Sequence, residues 1–190
     1  MDFEDRTEEI LLAACALRPA LEAYAAEWRE RYSCPAPEGR AITSELCRGG
    51  AYGLLLHLRE RIPDAEWRVD GGYGSEVRAL TLADGSPRPD LEAVIDTLRW
   101  PGGMRDPAGV WRGHFWVRGR LADGTEVVVD LTADQFGYDD VVVAPASDPR
   151  YRSNLRKDIA DYGMTMPEMA WGHGLDWTFQ RDWACAAPAP

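Results

Sequence analysis

The sequence predicts an α+β fold with N-terminal helices packed on an antiparallel sheet. Two segments near the start carry apolar residues at helical spacing. Short strand-like runs separated by turn signals follow, and one further helical segment comes after the most regular hairpin. Helices and strands do not alternate as a βαβ sheet would require.

The elements follow in chain order. Residues 7–32 place Ile10, Leu11, Ala14, Leu17, Leu21 and Tyr24 at helical spacing, with Pro19 as a candidate break. Two prolines and Gly39 mark 33–41 as a loop. Residues 44–62 form a second helix with Cys47, Ala51, Leu54, Leu58 and Ile62 on one face, and Pro63 ends it. Gly49, Gly50 and Gly53 weaken its first half, which calls for close packing against another backbone. "EWRVDGGYG" and "EVRALTLADGS" are strand candidates, 89–100 a short helix, 101–113 a loop, and 148–163 a helix ended by Gly163. The Trp-rich remainder reads as irregular.

With 190 residues, 45% of them hydrophobic, the chain is expected to be one domain. A formal charge of −11 argues against nucleic acid or an anionic membrane as the main partner. No apolar run approaches the roughly 20 residues of a membrane span, and the acidic start is the wrong sign for a signal peptide, so a cytoplasmic location is expected. Cys15, Cys34, Cys47 and Cys185 are scattered without a CxxC pair, which indicates neither a zinc ribbon nor a disulfide framework. "GGYG" (71–74) lacks the lysine and spacing of a phosphate loop. The basic cluster 150–157 reads as a solvated helix face.

The hairpin "GHFWVRGRLADGTEVVVDLTADQFG" (113–137) holds two polar residues that need a reason, His114 and Asp130. A two-residue loop at Asp123-Gly124 would pair Asp130 with Val117 and turn it away from the His114 face. A three-residue loop of Ala122, Asp123 and Gly124, with Gly124 at positive φ, pairs Asp130 with Trp116 and His114 with Thr132. The imidazole and the carboxylate then share a face as diagonal neighbours, about 7–8 Å apart at the backbone. The bulged turn is therefore expected. A carboxylate there would fix the imidazole's tautomer, the orienting half of a catalytic triad.

Cys47 is the candidate nucleophile. It falls in the first turn of the second predicted helix, after the N-cap candidates Thr43 and Ser44. First-turn N–H groups and the helix dipole stabilise a thiolate there and can bind an oxyanion. Cys15 in mid-helix suits a core role, Cys34 precedes a proline, and Cys185 lies in the tail.

Cys at a helix start, His opening a strand and Asp on the next strand, with "HFWV" and "VVVDLTADQF" around the last two, resembles the transglutaminase-like branch of the papain-like cysteine enzymes. The pattern His114-x-Trp116, Asp123-Gly124, Asp130-Leu131-Thr132, Asp134-Gln135-Phe136 is similar to small bacterial YunG-like proteins of that superfamily. The resemblance covers about 43–137 and leaves a C-terminal helix and Trp-rich extension over 148–185. It implies a papain-like core and acyl transfer through a Cys47 thioester without a cofactor. His114 would act as the base and Asp130 as its orienting acid. A peptide, a protein or a small-molecule amide would be the substrate. Relatives often carry Gly-Gln before the cysteine; this chain has Glu45-Leu46, so the second oxyanion donor is unassigned.

Asp134 is the rival orienting acid, placed at the start of a turn or helix. Gln135 is a possible oxyanion donor, with a structural hydrogen bond the plainer reading. Ser44 is a supporting residue, and Trp116 is placed to shield the His–Asp pair. Trp171 and His173 are candidates to line the pocket, and His57 is expected to be a partly exposed helix residue. The Cys, His and Asp set also suits zinc, the competing reading. An inactive binding or accessory module on the same fold is the alternative to an enzyme.

Overall fold

The computed structural model describes residues 3–31, 33, 35–36, 38–44, 46–72, 74 and 100–154. Two helices, α1 (Phe3–Arg31) and α2 (Cys47–Arg61), precede the strands β1 (Glu66–Gly72), β2 (Gly103–Arg105), β3 (Trp111–Arg112), β4 (His114–Arg120), β5 (Glu126–Asp130), β6 (Val142–Pro145) and β7 (Tyr151–Arg152). A short 3₁₀ helix, Ala133–Phe136, follows β5. The architecture is α+β, with antiparallel sheets ordered β1-β4-β5-β6 and β3-β2-β7.

Alternation along the central strands builds two cores. Trp67, Val69, Phe115, Val117, Val127 and Val129 face the helices and pack with Leu17, Leu21, Leu54 and Leu58. Trp116, Val128, Val142 and Ala144 face the other way and pack with Met104 and Tyr151 of the small sheet. The large sheet is thus sandwiched between the helices and the small sheet.

Several expectations change. α1 runs unbroken through Pro19, which lies on its exposed side. Cys15 is exposed and not a core residue. α2 begins at Cys47, later than the expected 44, with Leu46 as its N-cap. The helix is buried on more than one face, so His57 is buried too, with Nε2 3.1 Å from the Ala13 carbonyl. Residues 101–113 form a two-stranded ribbon, β2 and β3, instead of a loop. The helix expected from 148 is replaced over 148–154 by a turn and β7, because Tyr151 pairs with Met104 across the sheet. The second strand candidate, residues 89–99 of the short helix, Cys34, Cys185, Trp171 and His173 lie outside the described residues. Among the described residues no helix is long and apolar enough to cross a membrane.

Buried Arg18 joins α1 to the segment that follows β5. It donates to the carbonyls of Leu131 and Asp140 and to Thr43 Oγ1, and pairs with Asp134 Oδ2 at 2.5 Å. Arg29 holds the turn before α2 through the Ile42 carbonyl at 2.7 Å and the Ser44 carbonyl at 2.5 Å. Arg18→Met keeps the stem and removes the fork, leaving Asp134 and two carbonyls short of a donor. Urea denaturation of this variant is expected to reveal a loss of about 2–3 kcal/mol. An unchanged midpoint would refute that role.

Candidate active site

The hairpin turn sets the site. Leu121 N–H donates to the Thr125 carbonyl at 2.8 Å, Gly124 N–H to the Leu121 carbonyl at 2.9 Å, and Gly124 has φ 86°. This is the bulged three-residue turn, and only a residue at ease with positive φ closes it without strain. The ladder pairs Val117 with Val129, so Asp130 falls opposite Trp116 and shares the His114 face.

His114 Nε2 lies 2.6 Å from Asp130 Oδ2, with His114 0% and Asp130 1% exposed. The carboxylate is held at both oxygens. Thr132 donates its N–H at 2.9 Å and its hydroxyl at 3.3 Å to Oδ1, and the Tyr151 hydroxyl donates to Oδ2 at 3.1 Å. Buried carboxylates need such donors, because none come from water. Phe136 meets the imidazole edge-on at 4.9 Å, and Trp116 lies 6.2 Å away, so both help enclose the pair.

Cys47, the first residue of α2, is half-buried and lies near enough to His114 to help raise the imidazole's pKa. Asp130 holds Nε2, and Nδ1 faces Gln135 Nε2 at 3.3 Å. Burial pulls the imidazole pKa down, but the charge and hydrogen bond of Asp130, and then those of Cys47, outweigh it and raise the value to about 10. Gly50 packs closely: a Cβ there would sit 3.3 Å from Thr132 Cγ2 and 3.4 Å from Leu21 Cδ2. Its neighbours are side chains, not the other backbone that the glycines of α2 led one to expect.

The remaining candidates separate. Thr43 and Ser44 do not cap α2, which has no side-chain cap bond. Ser44 is buried, its hydroxyl without a hydrogen-bond partner. Asp134 serves Arg18 and does not reach the imidazole role. Gln135 is buried, with Nε2 2.8 Å from the Thr132 carbonyl and 3.3 Å from His114 Nδ1. Tyr151 is the participant that sequence reasoning missed: it lies in a stretch expected to be helical, and its partner is set by the small sheet. The proximity of Asp130 and burial of the phenol both raise its pKa, burial most. Among the described residues no group of three or more His, Cys, Asp or Glu side chains is arranged to hold a metal ion.

A thiol near an imidazole can pass its proton to the ring while a carboxylate holds the ring at Nε2. Comparison with known proteins finds no matching family model, no matching curated protein and no matching solved structure.

Proposed function

We propose that the protein is a cysteine-dependent acyl-transfer enzyme acting on amide or related acyl bonds. The observation that carries this reading is an imidazole held by a buried carboxylate 2.6 Å from Nε2, with Cys47 near enough to help raise its pKa. A helix starting at the cysteine and an antiparallel hairpin supplying the His and Asp also support a papain-like, transglutaminase-like core. In this reading the Cys47 sulfur attacks the carbonyl carbon and a C–S bond forms. The carbonyl π pair moves to oxygen and returns as the C–N bond breaks. His114 gives the leaving amine the proton it took from the thiol. The thioester then passes its acyl group to water or to an amine. The substrate is a peptide, a protein or a small-molecule amide.

An activated ester tests this. Incubation with 4-nitrophenyl acetate is expected to add one acetyl group to Cys47, seen by peptide mass spectrometry and lost in Cys47→Ser. In His114→Ala the rate is expected to fall by about 10²-fold or more. Acetylation of exposed Cys15 as fast as Cys47 would defeat the proposal. The complete enclosure of His114 favours one rival, an accessory module that keeps the site without its chemistry. An effect of the protein that survives Cys47→Ser belongs to that module.

A further inference from the structure

Acyl transfer places negative charge on the carbonyl oxygen when sulfur attacks, and the site must offer donors to it. One is at hand. Cys47 is the first residue of α2, no side chain caps the helix, and a first-turn N–H has no acceptor within its own helix. The residues just before Cys47 offer no amide side chain, so a second donor must come from elsewhere.

Gln135 reaches the site from the other side of the hairpin. Its side-chain nitrogen lies 2.8 Å from the Thr132 carbonyl, and only the NH₂ end of an amide makes that contact. The same nitrogen is 3.3 Å from His114 Nδ1, the ring atom that Asp130 does not hold. One hydrogen is committed to Thr132, which fixes the amide. The other is directed to the Nδ1 edge of the imidazole. With the imidazole held in its charged form, Nδ1 carries a hydrogen of its own and offers that amide hydrogen no lone pair. An oxyanion formed when the sulfur attacks is an acceptor it can take.

We infer that the Gln135 amide is the second oxyanion donor, supplied from the 3₁₀ helix after Asp130 instead of from the segment before the cysteine. The inference rests on the acyl-transfer reading. In the step, the C–S bond forms, the carbonyl π electrons become an oxygen lone pair, and the Gln135 and Cys47 N–H groups receive that oxygen. Collapse returns the pair to the C=O bond and expels the leaving group.

Two reagents that meet the same sulfur distinguish this role from simple support. 4-Nitrophenyl acetate develops an oxyanion when Cys47 attacks it, and iodoacetamide, attacked at a saturated carbon with loss of iodide, does not. Gln135→Met is expected to slow acetylation of Cys47 by roughly 10²-fold or more while changing alkylation by less than about threefold. Gln135→Glu, which keeps the shape and loses both N–H groups, is expected to do the same and guards against a folding failure of the first variant. Equal slowing of both reactions would make Gln135 a prop for the Cys–His pair and overturn the inference. Unchanged acetylation in both variants would overturn it as well, with the acyl-transfer reading intact. An unreactive wild-type Cys47 would fail that reading itself, and this inference with it.

Discussion

Asp130→Asn is expected to abolish thiol acylation, by about 10³-fold or more, in a protein of nearly unchanged shape. The carboxylate receives four donors: His114 Nε2, the Tyr151 hydroxyl, and the N–H and hydroxyl of Thr132. An asparagine offers one acceptor oxygen and turns an NH₂ group toward donors. If the amide faces the ring, Nε2 must give up its hydrogen and accept, and the ring's single proton moves to Nδ1. That nitrogen can then no longer take a proton. The buried conflict of donors is expected to lower stability by about 3 kcal/mol.

The same variant has a pH signature. In the folded wild type, burial works against the imidazolium but Asp130 and Cys47 hold its pKa near 10, against an ordinary value of 6.5. Folded protein thus binds a proton that unfolded chain releases. The resulting stabilisation is fully present below pH 6.5 and is lost as pH rises through the folded value. Between those limits wild-type stability is expected to fall by about 1.4 kcal/mol per pH unit from this group. Without the charge of Asp130, burial dominates and that decline disappears. Denaturation curves at pH 6, 7.5 and 9 (about one unit or more apart) read the slope directly. Equal slopes in the two proteins would contradict the assignment of the raised pKa to Asp130.

Gly103→Ala is expected to give the largest stability loss away from the site. Gly103 has φ 91°, and a Cβ there would lie 2.0 Å from the Arg112 carbonyl oxygen. Left-handed backbone adds about 1–2 kcal/mol for a residue with a side chain, and overpacking against rigid backbone about 1–3 more. For a chain of this length that corresponds to a melting temperature lower by roughly 4–20 °C. The position matters because the backbones of Gly72 and Gly103 cross with no room for a side chain: a Cβ on Gly72 would be 2.1 Å from Gly103 N. This crossing seats the small sheet on the large one. Displacing it also moves Tyr151, paired with the neighbouring Met104, away from Asp130. Gly109→Ala, at φ 85° in an exposed turn with nothing closer than 3.4 Å, is the comparison: it suffers the backbone penalty without the collision. Equal melting shifts in the two variants would discount the crossing.

The parts of the fold that were readable before the structure are those whose causes are local. Turn chemistry at Asp123-Gly124 and the period of two in β4 and β5 are enough to bring His114 and Asp130 to one face. The glycines of α2 announce a close neighbour without naming it, and at Gly50 the side chains of Thr132 and Leu21 prove to be that neighbour. Helix capping misled, because Thr43 and Ser44 are favourable cap types whose turn is instead held by Arg18 and Arg29 from a distant part of the chain. The strands β2, β3 and β7 are two or three residues long, too short to carry a pattern, and they exist through partners far away in sequence. Tyr151 and Arg18 stayed hidden for the same reason. Nothing within a few residues of either signals that it ends on Asp130 or on Asp134.

The pairing that the hairpin turn closes, Leu121 opposite Thr125, fixes the parity of everything beyond it. Inserting one residue into β5 ahead of Val129 would rotate the rest of the strand by half a repeat. Val129 would then take the place beside the imidazole, and Asp130 would enter the apolar layer beneath the helices. One insertion, made without altering any reactive group, would silence the site by exchanging inside for outside.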